Sequence, residues 1–164
     1  MGFLSTASLF VATVTTGLTA GLFAAFAYAV MPGLGRTDDR TLVLAMRRIN
    51  ESILNVWFAA CFGGALVCTV LAAALHLDAG RRAVLPWIVA GLLLYLVVLG
   101  VTAAVNVPLN NVLARAGDTD TDLAALRHRF EASWVRANVV RAVASTGAFG
   151  LLAWALVEAG RLPG

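Results

Sequence analysis

Four stretches of this chain carry no Asp, Glu, Lys or Arg: Met1 to Gly35, Ser52 to Leu77, Ala83 to Ala114 and Ala142 to Val157. Roughly 20 apolar residues cross the hydrocarbon core of a bilayer as a helix. The first three stretches meet that length unaided. The fourth has 16 residues and takes its first turns from the segment holding Asn138 and Arg141. The expected fold is therefore all-α: a four-helix transmembrane bundle forming a single integral membrane domain over 1–164. The spans are expected at about 4–31, 52–77, 84–113 and 134–157, with helices 2 and 4 extended beyond the membrane on one face.

Composition agrees with this reading. Hydrophobic residues make up 60% of the chain and charged residues 13%, against about 45–50% and about 25% in soluble domains. The first apolar run lacks a basic leader and exceeds the usual apolar core of a signal peptide, about 7–15 residues. It is expected to remain as a helix. All basic residues are arginines beside the spans, and no basic run is interleaved with aromatics, so no nucleic-acid partner is expected. Cys61 and Cys68 are seven helical residues apart, about 10.5 Å along an axis. That is too far for a disulfide within one helix, which needs Cα atoms within about 7 Å.

Helix 1 covers about Leu4–Met31 and ends at Pro32-Gly33-Leu34-Gly35, where proline and glycine together break the pattern. Gly17, Gly21 and Ala25 recur every four residues, a spacing that suits close helix packing. Thr13, Thr16 and Thr19 can bond carbonyls of their own helix. Helix 2 begins at Thr37 or Asp38 as N-cap and runs to about Leu77, its apolar stripe Leu42, Met46, Ile49, Ile53 and Trp57 continuing into the membrane. A tight turn over Asp78–Arg82 leads to helix 3, about Val84 to Leu113. After a polar loop over Ala116–Thr121, helix 4 starts near Asp122 and enters the membrane near Trp134. Its stripe reads Leu123, Leu126, Phe130, Trp134, Asn138, Arg141, Ser145, so the asparagine and arginine continue an inward face.

Nine arginines (36, 40, 47, 48, 115, 127, 129, 136 and 141) flank the loops between helices 1–2 and 3–4, and three (81, 82 and 161) lie on the other side. The positive-inside rule places loops 32–51 and 114–133 in the cytoplasm. A bacterial inner (plasma) membrane is the expected location.

Because helices alternate direction, Asn50, Trp57, Asn106, Asn110, Asn111, Trp134, Asn138 and Arg141 share one end of the bundle. Arg141 lies 17 residues before Glu158, about 25 Å of helix, which sets it near the edge of the hydrocarbon. Pro108 donates no hydrogen bond and is expected to leave the carbonyl of Ala104 free. Each of these residues alone has a plain structural role: a snorkelling arginine, a proline kink, asparagines that glue helices, an interfacial tryptophan. Their shared end and face point instead to a polar pocket. His76 and His128 fall at opposite faces, so one haem cannot bind both. With no carboxylate in a span and no Cys/His cluster, a dedicated metal site is not expected.

Pro32-Gly33-Leu34, Ala45-Met46-Arg47-Arg48-Ile49-Asn50, Asn106-Val107-Pro108-Leu109-Asn110 and Trp134-x3-Asn138-x2-Arg141 resemble the anthrone oxygenase-like family of small four-helix membrane proteins, over about Leu4 to Val157. The resemblance implies cofactor-independent oxidation of anthrones to anthraquinones by O₂. In that case Asn106, Asn110, Asn138 and Arg141 would be the catalytic donors, and Asn50, Trp57 and Trp134 would bind a flat lipophilic aromatic or quinone-type molecule. The other class of function that fits is a non-enzymatic membrane protein, whose polar cluster binds a lipid or small ligand or stabilises a homo-oligomer. The expected partners are thus the bilayer and a lipophilic small molecule.

Overall fold

The computed structural model describes residues 2–78, 82–115 and 123–161. Helix α1 (Phe3–Ala25) passes through a wide π turn (Phe26–Val30) into α2 (Met31–Leu34). After α3 (Asp39–Ile53) and α4 (Val56–Leu75), α5 (Leu85–Val101) passes through a second π turn (Thr102–Asn106) into α6 (Val107–Arg115). The long α7 (Leu123–Arg161) completes the described chain. The expected Ala116–Thr121 loop, the start of helix 4 near Asp122 and the centre of the 78–82 turn lie outside the described residues.

Four helices are long and apolar enough to cross a membrane: Phe3–Leu34, Val56–Leu75, Leu85–Arg115 and Leu123–Arg161. They form an all-helical bundle in which α1 packs on α4 and α7, and α5 on α7 and α4. Between helices in lipid there is no water to expel, so association relies on close packing. A side-chain carbon at Gly17 would come within 2.9 Å of the Phe149 ring, and one at Gly91 would sit 3.3 Å from Leu152. Gly21, expected to share that packing role, has open space beside it. Thr13 and Thr19 bond the carbonyls of Leu9 and Thr15 as expected. The hydroxyl of Thr16 is buried without a partner.

Helix 2 is not continuous. Leu54 and Asn55 leave helical geometry, and Asn55 serves both sides of the break. Its Oδ1 accepts from the backbone N–H groups of Trp57 and Phe58, each at 3.0 Å, and its Nδ2 donates to the carbonyl of Ser52 at 2.8 Å. One side chain therefore meets the unpaired ends of two helices, the ordinary role of an N-cap asparagine extended backwards. The second span begins at Val56, not near Ser52, and the stripe from Leu42 stops at Ile53.

Freed from α4, α3 lies against α6 and α7. Leu42, Val43 and Met46 are fully buried there with Met31, Leu113, Leu126, Phe130 and Trp134. Burying a side chain of this kind from water is worth about 1.5–3 kcal/mol. The start of α3 is fixed by Asp38, which accepts from the hydroxyl of Thr41 at 2.7 Å and from its N–H at 2.9 Å. Those bonds hold the Asp38 carboxyl below its usual pKa. Arg127 secures the preceding loop: it donates to the carbonyls of Gly35 and Thr37 at 2.9 and 2.8 Å and pairs with Asp39 and Glu131.

The two π turns share a cause. Pro32 and Pro108 each stand two residues beyond one. A proline ring collides with the carbonyl four residues back, here Tyr28 and Ala104. An extra residue in the turn widens the ladder and relieves that collision. The local answer to Pro108 is thus a wide turn closed by the Val107 N–H on the Thr102 carbonyl, where the sequence suggested only a freed carbonyl at Ala104.

Candidate functional site

At the end of the bundle covered by α3, a recess opens between α1, α3, α6 and α7. The first π turn contributes Phe26 to its wall, and the second contributes Thr102 and Asn106. Asn50, Asn110, Trp134, Asn138 and Arg141 line it, with Phe23, Ile53, Leu54 and Phe58 among the apolar walls. Its cavity volume is about 90 Å³. No carboxylate or histidine is among its lining residues.

Arg141 is 6% exposed. Its guanidinium carbon lies 4.2 Å from the centre of the Phe23 ring and 5.3 Å from that of Trp134. Nη2 donates to Asn138 Oδ1 at 2.9 Å, whereas Nε is buried without a partner. Among the described residues no carboxylate pairs with it. An arginine held in the middle of a long helix by one amide and two ring faces retains an unanswered positive charge, a costly arrangement in a low-dielectric site.

The asparagines are less interchangeable than their sequence pattern suggests. Asn138 uses both ends of its amide: Oδ1 accepts from Arg141, and Nδ2 donates to the Phe23 carbonyl at 3.0 Å. It orients Arg141 and ties α7 to α1 beside the first π turn. Asn106, fully buried, donates through Nδ2 to the Trp134 carbonyl at 3.3 Å. Its Oδ1 is left buried and unpartnered, an acceptor beside the second N–H of the same amide. Asn110 Oδ1 accepts from Trp134 Nε1 at 2.7 Å. Because an indole N–H can only donate, the oxygen assignment of this amide is chemically forced, and its NH₂ is free to donate elsewhere. Asn50 lies across the recess on α3, its Nδ2 buried without a partner.

Trp57 does not join this group. The break at Asn55 resets the helical phase, leaving Trp57 79% exposed and outside the recess. Phe58 takes the wall position, stacked on Phe62 with ring centres 5.1 Å apart. The signal for this was present in the sequence: an asparagine immediately before an apolar run is an N-cap pattern. Trp57→Ala should therefore leave the thermal midpoint in detergent nearly unchanged, whereas Phe58→Ala should lower it by removing the ring stacked on Phe62. Thermal unfolding of the two variants reads the difference directly.

Phe23 and Phe26, which flank Arg141 and Trp134, were not singled out in the sequence because an apolar residue in an apolar helix carries no local mark. His128 is exposed on α7 away from the recess, and His76 is buried at the opposite end, its Nδ1 2.7 Å from the Ala72 carbonyl. Among the described residues no three His, Cys, Asp or Glu side chains converge to hold a metal ion.

No curated protein and no solved structure matches the chain. The family model described as anthrone oxygenase matches residues 54–151, more than half of the chain, and includes α4, α5, α6 and the part of α7 that carries Trp134, Asn138 and Arg141. With a bundle of four membrane-length helices around that segment, the chain belongs to the anthrone oxygenase family.

Proposed function

We propose that the protein is a membrane oxygenase that oxidises a lipophilic aromatic ketone of the anthrone type with O₂, without a cofactor, in the recess around Arg141. The observation that carries this reading is a buried arginine with no carboxylate partner among the described residues, at the wall of an apolar recess. Such a site favours any bound molecule that can become an anion.

An anthrone is weakly acidic at its methylene carbon, and its conjugate base is an electron-rich enolate. Arg141 stabilises the enolate oxygen, so the proton is lost more readily than in water or lipid. With no carboxylate or histidine among the lining residues, that proton passes to water at the mouth of the recess. Asn106 Oδ1 accepts a hydrogen bond from the enol form and keeps the oxygen directed at the arginine. Phe58 and Trp134 hold the rings flat. O₂ then takes electrons from the carbanion carbon, a C–O bond forms, and protonation gives a hydroperoxide. Loss of the remaining hydrogen on that carbon as a proton, with cleavage of the O–O bond, yields the quinone carbonyl and water. The balance is one anthrone and one O₂ to one anthraquinone and one H₂O.

Purified protein in neutral detergent should consume one O₂ per anthrone faster than protein-free autoxidation and yield anthraquinone without hydrogen peroxide. An oxygen electrode with product chromatography measures both. A rate equal to autoxidation, together with a lipid co-purifying at this end of the bundle, would overturn the enzyme reading in favour of lipid binding. The proposed setting is a plasma membrane with loops 32–51 and 114–133 on the cytoplasmic side, which makes the mouth of the recess face the cytoplasm.

A further inference from the structure

A more open recess lies between α1 and α3. Leu22, Phe26, Arg48, Ile49, Ser52 and Ile53 line it, and its volume is about 470 Å³. Leu22, Phe26, Ile49 and Ile53 also line the recess around Arg141. One apolar partition therefore separates the two spaces: a leucine and a phenylalanine from the α1 side, and two isoleucines from α3. The inner cavity, about 90 Å³, is well below the roughly 300–1,000 Å³ of sites for small organic molecules. A fused-ring molecule reaches Arg141 only if a wall of that cavity moves.

Packing indicates which wall. α3 is seated on α6 and α7 but meets α1 only sparsely. Its two isoleucines stand beside the break at Leu54 and Asn55. Phe26 opens a π turn, a geometry frequent at functional sites. The level of the gap follows from helix register. A side-chain carbon at Gly64 would sit 3.6 Å from Thr15, so these residues are level in the neighbouring α4 and α1. Eight residues from each, toward the end covered by α3, stand Val56 and Phe23. Val56 is the first residue of the second span, so Leu22 and Phe26 lie at the edge of the hydrocarbon. Leu18, one turn deeper on the face of α1 that carries Leu22, is 58% exposed. The gap thus continues a lipid-facing stripe. At its outer rim Arg48 pairs with Glu51 at 3.0 Å, both exposed.

We infer that the gap between α1 and α3 is a membrane-side entrance. An apolar fused-ring molecule dissolved in the bilayer leaflet passes through it into the recess around Arg141, and Leu22, Phe26, Ile49 and Ile53 are the gate. The inference rests on the proposed oxygenase reading only for the identity of that molecule. A ligand of this kind starts in hydrocarbon and meets only hydrocarbon side chains at the gate, so it never crosses water on the way in. The rate of entry is then set by how far the partition opens, and bulk added to the partition slows entry and exit alike.

Stopped-flow binding of 9,10-anthraquinone to the protein in phosphatidylcholine nanodiscs, followed by tryptophan quenching, tests the route. Ile49→Phe and Leu22→Phe should slow association and dissociation together by about tenfold, with Kd changed less than about threefold, a shift within the range that association rates span among variants of one site. Leu18→Phe, outside the gap, should leave both rates unchanged. A merely structural defect would move Kd and not the paired rates. A nitroxide at Leu22→Cys, in a chain carrying Cys61→Ala and Cys68→Ala, should collide with O₂ more often than with a water-soluble nickel chelate. Wild-type rates in both phenylalanine variants, or a label reached more readily by the chelate, would overturn the inference. Oxygen uptake with anthrone by the wild type in the same discs separates the two levels. Uptake with unaltered rates in the variants removes the entrance alone. Slowed rates without uptake keep the entrance and remove the oxygenase reading, and no binding of anthraquinone at all overturns both.

Discussion

Arg141→Ala should lower oxygen uptake with anthrone by about 10²–10³-fold, the usual loss on removing one preorganised donor from an oxyanion site. The protein should nonetheless fold. Removing a buried charge that has no opposite partner also removes its desolvation cost, so the thermal midpoint should hold or rise even as Asn138 Oδ1 loses its donor. Lost turnover with retained stability distinguishes a catalytic cation from a structural one. Arg141→Lys should recover only part of the rate. An ammonium keeps the charge but cannot lie flat over Phe23 while also donating to Asn138. Uptake within threefold of wild type in Arg141→Ala, measured on an oxygen electrode at matched protein concentration, would remove the arginine from the mechanism.

The largest expected effect on stability is at Trp134. Its ring meets Phe26 and Phe130 with centres 5.7 and 5.9 Å apart, its carbonyl takes Asn106, and its Nε1 is bonded to Asn110. It is thus the residue on which α3, α6, α7 and the first π turn agree. Trp134→Ala should cost about 3–5 kcal/mol, through the cavity left behind and the ring packing removed. Trp134→Phe retains most of the volume but strands Asn110 Oδ1, a penalty of about 1–3 kcal/mol. Reversible unfolding in mixed detergent should rank wild type above Trp134→Phe and that above Trp134→Ala. An alanine variant as stable as wild type would mean that the cluster at this end does not hold α3 in place.

How far the sequence led depends on the kind of signal each residue carries. The four spans were legible because a charge-free run has few other fates in a chain. The inward position of Asn138 and Arg141 was legible because steps of three and four persist from Leu123 through α7, an uninterrupted helix. The same reasoning failed for Trp57, since periodicity cannot be carried across Leu54 and Asn55. It also ran out at the asparagines. Spacing placed Asn106, Asn110 and Asn138 at one end but could not tell that both ends of the Asn138 amide have partners, that the Asn106 oxygen lacks one and that the Asn110 oxygen is held by the indole. Those distinctions depend on which carbonyl or indole stands opposite, which is a property of packing between helices distant in sequence.

The docking of α3 divides the site between two solvents. Arg141 and its rings belong to a bundle held by contact in lipid, which salt barely reaches. The helix that closes the cleft is held from the aqueous side, by apolar burial against α6 and α7 and by Arg127 between Asp39 and Glu131. Ionic screening shortens the reach of those charges to about 8 Å at physiological strength and to about 3 Å at 1 M. Added salt therefore weakens only the ionic share of this docking, while the apolar burial of Leu42, Val43 and Met46 keeps the cover in place.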